Sequence, residues 1–445
     1  MNFSMIFFDQ FLACFFLTFD NFVSRDYVDG ENRFTRHRKM SFKEYVIYVI
    51  VQRGNTNFTE ALRYYRDFLK NEFQSITPQA IGKQRKYIKS KLYKDLSESF
   101  IDDLYNRHKR FSEIKGYLVT ANDTSICDLP SAEQTRKEMK VKKHNKTGRF
   151  NSRARISCIM DVNSKFIISA KIVPKKIPEV KLAIEHLMEL KERFDITKIL
   201  TTYDRGYASL ELMVVTQCLG AKYLIRLKST TFKHKIKNLT SDDGIIEVKI
   251  PNKILNKIRD KKIKQKAKAM KRIKIRIVKV KLKTGETEIL ATNVSKNEFS
   301  INELKIIYSK RWNIETGFDK LKNLIRIEDF SGRSQRLIEQ DFHANIFLYN
   351  VAMCIYHDSM KKIRRQPRKR KHEYHYVPNF SKIISLLFEK FFDIITDILI
   401  MKEIIIEFIV HEVALNPTNV KKDDERIRGP LADPTNEHNG YKKYP

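Results

Sequence analysis

Two aspartates and one short polar series carry the chemistry this sequence can offer. Asp123 lies at the end of the apolar run YLVTAN, and Asp204 at the end of KILTTY. Acids at strand ends line the site of an α/β sheet, because neighbouring strands bring them together there. The two are 81 residues apart, so their pairing depends on the sheet. Taken alone, each reads more readily as a turn or cap residue than as a catalytic one. Tyr308, Arg311, Glu315 and Lys322 follow at offsets of 0, 3, 7 and 14. At about 100° per residue these fall near 0, −60, −20 and −40°, one narrow helical stripe. A solvated face with an Arg311–Glu315 i,i+4 pair would explain the charges but gives no reason for the tyrosine. A phosphate-facing surface explains all four: arginine gives bidentate contacts, lysine a point charge, tyrosine a hydroxyl, and the carboxylate a metal ligand. Asp123, Asp204 and Glu315 together would suit two Mg²⁺ ions, which clamp the attacking and leaving oxygens of an in-line phosphoryl displacement.

The elements that must position these residues can be read around them. Residues 33–112 have a helical texture. Arg36, Arg38 and Lys39 lead into a helix with Ser41 as N-cap and Gly54 as stop; a second helix is expected over 57–73; a third, 79–91, is capped by Thr77 with Pro78 at its first position. The third carries Lys83, Arg85, Lys86 and Lys89, a basic helix after a turn that suits DNA docking. From about residue 115 the pattern becomes β-like. GYLVTAND is one strand, and ARISCIMDV and KFIISAKIV form a hairpin around Asn163-Ser164. Helix, strand, helix and strand then alternate up to AKYLIRL, the order of a mixed sheet covered by helices. RIKIRIVKVKL, a turn at Thr284-Gly285 and ETEILATNV predict a β-hairpin with one cationic face, and a long helix is expected over 301–327. The expected organisation is an apolar segment 1–32 without an assigned role, a helical DNA-binding region 33–112, a core 113–356 with a β-rich insertion about 229–300, a basic connector and C-terminal helices 357–415, and a disordered tail 416–445.

Composition narrows the partners. The chain has 445 residues, 86 Lys+Arg against 53 Asp+Glu, a net charge of +33 and a pI near 9.8. That balance favours a polyanion, and 42% hydrophobic residues suffice for a sizeable core. The five cysteines are scattered without a CxxC, which argues against a disulfide framework or structural zinc and for a reducing cytoplasm. The Phe-rich start lacks a basic leader and is interrupted by Asp9, Gln10 and Asp20, so it reads as a packing helix and neither as a signal peptide nor as a span. Charges recurring through 380–413 indicate amphipathic core helices there.

The series Tyr308-x2-Arg311-x3-Glu315-x6-Lys322, preceded by ANDTS around Asp123 and TTYDRGY around Asp204, resembles the DDE transposases of the insertion-sequence-four family. The resemblance covers about 40–350. It implies an α/β fold, an RNase H-like mixed sheet flanked by helices, with a β-rich insertion between the second aspartate and the glutamate and an N-terminal helical DNA-binding segment. It implies that Asp123, Asp204 and Glu315 are catalytic and bind two Mg²⁺ (Mn²⁺ can substitute). Tyr308, Arg311 and Lys322 would hold the DNA backbone, with Arg205, Lys83, Arg85, Lys86 and Lys89 as further DNA contacts. The implied reaction is cleavage at the element's ends, followed by attack of the freed 3′-hydroxyl on target DNA. A homodimer on DNA, transposon ends and target as partners, no membrane, and a cytoplasmic, nucleoid-associated location follow from the same resemblance. Some relatives stack a flipped base on a tryptophan in the insertion. Here the sole tryptophan, Trp312, lies in the signature helix, where core packing is expected, leaving Phe232 or another aromatic to substitute.

Two rival classes share much of this pattern. An RNase H-like nuclease would keep the carboxylates and stop at hydrolysis; a non-catalytic DNA-binding protein would need only the basic helices and hairpin. Charge cannot separate them, because phosphate contacts dominate affinity in all three. Other residues carry less. Asp161 suits turn initiation better than a fourth ligand; His144 and His343 read as structural or exposed; Lys142, Lys143 and Lys146 suit a phosphate-contacting or merely solvated loop; Asp128 lies too far along its strand to be assumed a ligand.

Overall fold

Helix starts in the N-terminal region follow their caps. Ser41 and Glu44 exchange hydrogen bonds in a capping box that opens α1 (Phe42–Ile50). Thr56 caps α2 (Asn57–Arg63), which passes into a π turn at Tyr64–Phe68. Thr77 caps α3 (Pro78–Arg85), with Pro78 in the first turn. The structure is a computed structural model and describes residues 24–35, 39–68, 76–107, 112–143, 148, 150–282, 285–366, 374–396 and 399–421. The expectations for most of 1–32, Arg36, Arg38, His144, Lys146, Thr284, the basic segment from 367 and the tail from 422 fall outside the described residues. Two expected boundaries move. The first helix ends at Ile50, short of Gly54, and the third stops at Arg85, after which α4 (Lys91–Arg107) begins afresh. Gly54 has a different use: at φ +74° it sits so close to Asp329 that a Cβ would lie 2.5 Å from the carboxylate oxygen.

The sheet contains β1 (Leu118–Asp128), β2 (Arg153–Asp161), β3 (Ile167–Pro174), β4 (Ile199–Tyr203), β5 (Lys222–Arg226), β6 (Asp243–Lys249), β7 (Arg272–Lys281) and β8 (Thr287–Thr292). Their order is β3-β2-β1-β4-β5-β8-β7-β6. β1 is antiparallel to β2 and parallel to β4, and β4 is parallel to β5. This is the RNase H-like arrangement, and the crossovers are made by α5 (Glu179–Arg193) and α6 (Leu210–Leu219). The expected β-rich insertion is present, and its strands extend the same sheet: β8 pairs antiparallel with β5, and β7 and β6 follow outward. Strand β6 and the amphipathic helix α7 (Lys261–Met270) were not foreseen, because lysines crowd out the apolar pattern; α7 buries only Ile263 and Ala267.

The polar signature falls on α8 (Ile301–Ser309), a 3₁₀ turn at Lys310–Trp312, and α9 (Asn313–Asn323). The single helix expected over 301–327 is therefore broken. The 31-residue α10 (Gln335–Arg365) is buried nearly all round through its middle, from Gln340 to Ile355. It packs against α1, α4, β3, and the C-terminal α11 (Phe380–Thr396) and α12 (Leu399–Leu415). A helix buried on every side must be covered on every side, and these elements supply the cover. The core is continuous through them. Among the described residues no helix is long and apolar enough to cross a membrane.

Candidate active site

Parallel pairing of β1 with β4 runs from Leu118↔Ile199 to Ala121↔Thr202, an offset of 81 residues. Asp123 and Asp204 share that offset, so each follows its last paired residue by two positions. The register therefore carries both aspartates to the same level of neighbouring strands. Asp123 is not at a strand end as expected: β1 continues to Asp128 because TSICD still pairs with β2, with Asp123 opposite Cys158. Asp204 lies just past β4 and accepts from the Gly206 N–H at 2.8 Å.

Glu315 reaches the pair from α9. This helix approaches β2 closely enough that a Cβ on Gly317 would lie 2.2 Å from the Met160 methyl. Arg311, 8% exposed, joins the groups: Nη1 donates to Asp123 Oδ2 at 3.3 Å and Nη2 to Glu315 Oε1 at 2.5 Å. Burial is the main reason the Asp123 carboxyl is pushed up to about 6. The Thr124 N–H and Arg311 pull it down, while the charges of Asp204 and Glu315 push it up further. Both other acids thus act electrostatically on Asp123. Among the described residues, no three of His, Cys, Asp and Glu converge closely enough to hold a metal ion, with the guanidinium standing between two of the acids.

A model of the transposase DDE domain matches residues 114–351, more than half of the chain. The chain belongs to the transposase DDE family. It is 25% identical over 198 residues to the transposase InsG for insertion sequence element IS4 from Escherichia coli (strain K12), covering 44% of this chain and 42% of that protein. The chain thus matches less than half of that relative's length. A cryo-EM structure of the piggyBac transposase synaptic complex with hairpin DNA aligns with 89% of this chain and 84% of its own at 12% identity and a TM-score of 0.43.

Around this candidate site the structure sorts the expected DNA contacts. Arg205 is exposed beside Asp204 and lines a cleft of about 430 Å³ with Arg226, Lys228, Thr230, Thr287 and Glu288. Tyr308 is buried with its hydroxyl pushed up to about 12, chiefly by that burial, and lies in the field of Arg311, Glu288, Arg226 and Asp204. Lys322 donates to the Ile126 carbonyl and lies 3.6 Å from Glu328. Lys83 and Lys86 are exposed, and Lys89 is half-buried near Asp29.

Arg85 does not face solvent as expected: it is 3% exposed and bound to Asp341 at 2.7 Å, Ser331 at 2.6 Å and Gln340 at 3.2 Å. Helical periodicity turns it inward, so its guanidinium cannot meet DNA. Arg276, on the expected cationic hairpin face, is likewise buried against Asp243. Trp312 does not pack in the core; it is 39% exposed, because the 3₁₀ turn rotates it outward.

Sequence reading missed Glu179, the first residue of α5. It accepts from Thr124 at 3.0 Å, pairs with Arg155, and acts with Asp123 and Asp204 on the buried Tyr207 hydroxyl. Its only signal was an acid opening a helix after Pro178. Asp161 is buried away from the cluster, at the β2–β3 turn. His343 is buried, and Asp128 is turned to Arg153 at 2.8 Å.

Proposed function

We propose that this chain is an insertion-sequence transposase that cuts DNA at the ends of its element and joins the freed 3′-hydroxyl to target DNA. Asp123, Asp204 and Glu315 are its catalytic carboxylates and would hold two Mg²⁺ ions, or Mn²⁺ in their place. Their chemistry suits such ions: all three offer carboxylate oxygens, the charges of Asp204 and Glu315 help push Asp123 up to about 6, and Arg311 occupies the space between Asp123 and Glu315. When bound, the ions would supply charge stabilisation and an activated oxygen nucleophile for in-line displacement. The chain's own groups bind and orient the DNA. Arg311 offers a planar two-pronged donor for phosphate once it leaves Asp123 and Glu315. Tyr308 is buried within the field of that arginine. Arg205, Lys322, Lys83, Lys86 and Lys89 supply positive charge for the backbone, and the exposed Trp312 indole offers a stacking surface for an unpaired base. The working form is a homodimer on DNA, acting in the cytoplasm on nucleoid DNA.

The observation carrying this reading is the shared 81-residue offset that levels Asp123 with Asp204, with Glu315 tied to Asp123 through Arg311. The test uses labelled duplexes from both sides of the coding sequence, Mg²⁺ and a target plasmid. Wild type is expected to yield joined products, and Glu315→Gln to yield at least a hundredfold fewer, about 3 kcal/mol or more in the barrier. Equal joining by both would sink the site assignment; cleavage without joining would favour a nuclease.

A further inference from the structure

Asp161 closes β2 with a side chain that is 0% exposed. Its carboxylate accepts from Tyr105 Oη at 2.6 Å, Ser164 Oγ at 2.7 Å, Ser112 Oγ, and the N–H groups of Asn163 at 2.8 Å and Ser164 at 3.3 Å. A buried charge without a cationic partner is costly unless donors fill its acceptor positions, and five neutral donors do so here. Tyr105 lies on α4 and Ser112 on the segment after it, so the turn is anchored from the N-terminal helices.

The opposite side of the same turn holds the signature region. Asn163 Nδ2 donates to the Ser112 carbonyl at 2.7 Å, while its Oδ1 accepts from Lys310 Nζ at 2.6 Å. The Val162 carbonyl accepts from Asn313 Nδ2 at 2.8 Å. Lys310 opens the 3₁₀ turn and Asn313 begins α9 just after it, so the two flank Arg311, which contacts Asp123 and Glu315. A 3₁₀ break has poorer internal hydrogen bonds than an α-helix and needs outside support to keep one geometry. The β2–β3 turn supplies that support on both sides of the arginine.

We infer that Asp161 and the turn it organises, Val162–Ser164, position Arg311 and Glu315 over the two aspartates, making Asp161, Asn163, Lys310 and Asn313 positioning residues for the reaction. This rests on the reading of Glu315 as catalytic given above. A turn that served stability alone would need no contact with Lys310 or Asn313.

The test uses the full chain with Asn163→Ala, Lys310→Met and the double variant, all at half-buried positions, so the fold survives the change. Each single variant is expected to slow single-turnover cleavage at saturating duplex by about ten- to a hundredfold, since misplacement by about an ångström costs that much. DNA affinity is expected to move by less than about threefold, separating the chemical step from binding. The double variant is expected to be no slower than the worse single one, because both act through one contact. Trp312 is the only tryptophan and sits between the two anchors, so its emission in the DNA-free protein is expected to shift in each variant. Unchanged rates with an unchanged Trp312 spectrum, or a double variant as slow as the product of the singles, would overturn the inference. If Glu315→Gln itself cleaves normally, the functional reading falls instead, and the Trp312 signal alone then decides whether the turn governs this region.

Discussion

Arg311 is the residue on which the site's electrostatics turn. Its guanidinium bridges Asp123 and Glu315, something a single ammonium point cannot reproduce with the same geometry. Arg311→Lys is therefore expected to leave thermal stability within about 1 kcal/mol and to slow end cleavage by roughly a hundredfold, measured as the single-turnover rate at saturating DNA. The juxtaposition of Asp123, Asp204, Arg311 and Glu315 was readable because type and spacing together are restrictive. Glu179 and Arg155 were not, since each is ordinary alone and acquires meaning only when β2 and α5 bring them beside Thr124. Arg85 was misread for a related reason: a basic residue looks alike in sequence whether it faces solvent or a buried carboxylate.

Helices and strands were legible wherever caps or alternation were strong, as at Ser41, Thr77 and the β2–β3 hairpin. The 3₁₀ break at Lys310–Trp312 was invisible, since no Pro or Gly marks it and the 3.6-residue period continues across it. Gly317 was a signal that went unused. Glycine inside a helix costs about 1 kcal/mol relative to alanine, and one that persists there points to close packing. Here α9 rests on Met160. Gly317→Ala is expected to lower stability by about 1–3 kcal/mol, because Met160 must leave its place in a packed core. Adding Met160→Val is expected to give a double variant more stable than the sum of the singles, measured by urea unfolding. Additive losses would show that the helix does not rest on that methionine.

The whole molecule is held together through α10, and two features of it can be tested. Arg85 on α3 and Asp341 on α10 form a buried ion pair, 3% and 5% exposed, joining the N-terminal helices to the core. Arg85→Ala is expected to cost about 3–5 kcal/mol, because it strands a buried carboxylate, while the DNA affinity of the folded fraction stays unchanged. Buried His186 and His343 are both held near 3, well below the ordinary histidine value, chiefly by burial. The unfolded chain takes up these protons from about pH 6.5 downward while the folded chain refuses them. Their contribution is therefore fully present above that pH and lost progressively toward pH 3, on the order of 1.4 kcal/mol per pH unit for each histidine. His343→Leu is expected to flatten the fall in urea midpoint between pH 7 and 5, and an unchanged slope would contradict the assignment. Sheet order and register lay beyond single-sequence reading, because they are properties of pairing between distant segments. They also set what the lineage can tolerate. Since β6 to β8 are appended beyond β5, outside the segment that separates the two aspartates, a change of length in the loops joining them is expected to leave the register of β1 against β4 untouched. Length variation among descendants should collect there, and a shift of even one residue between β1 and β4 should be purged.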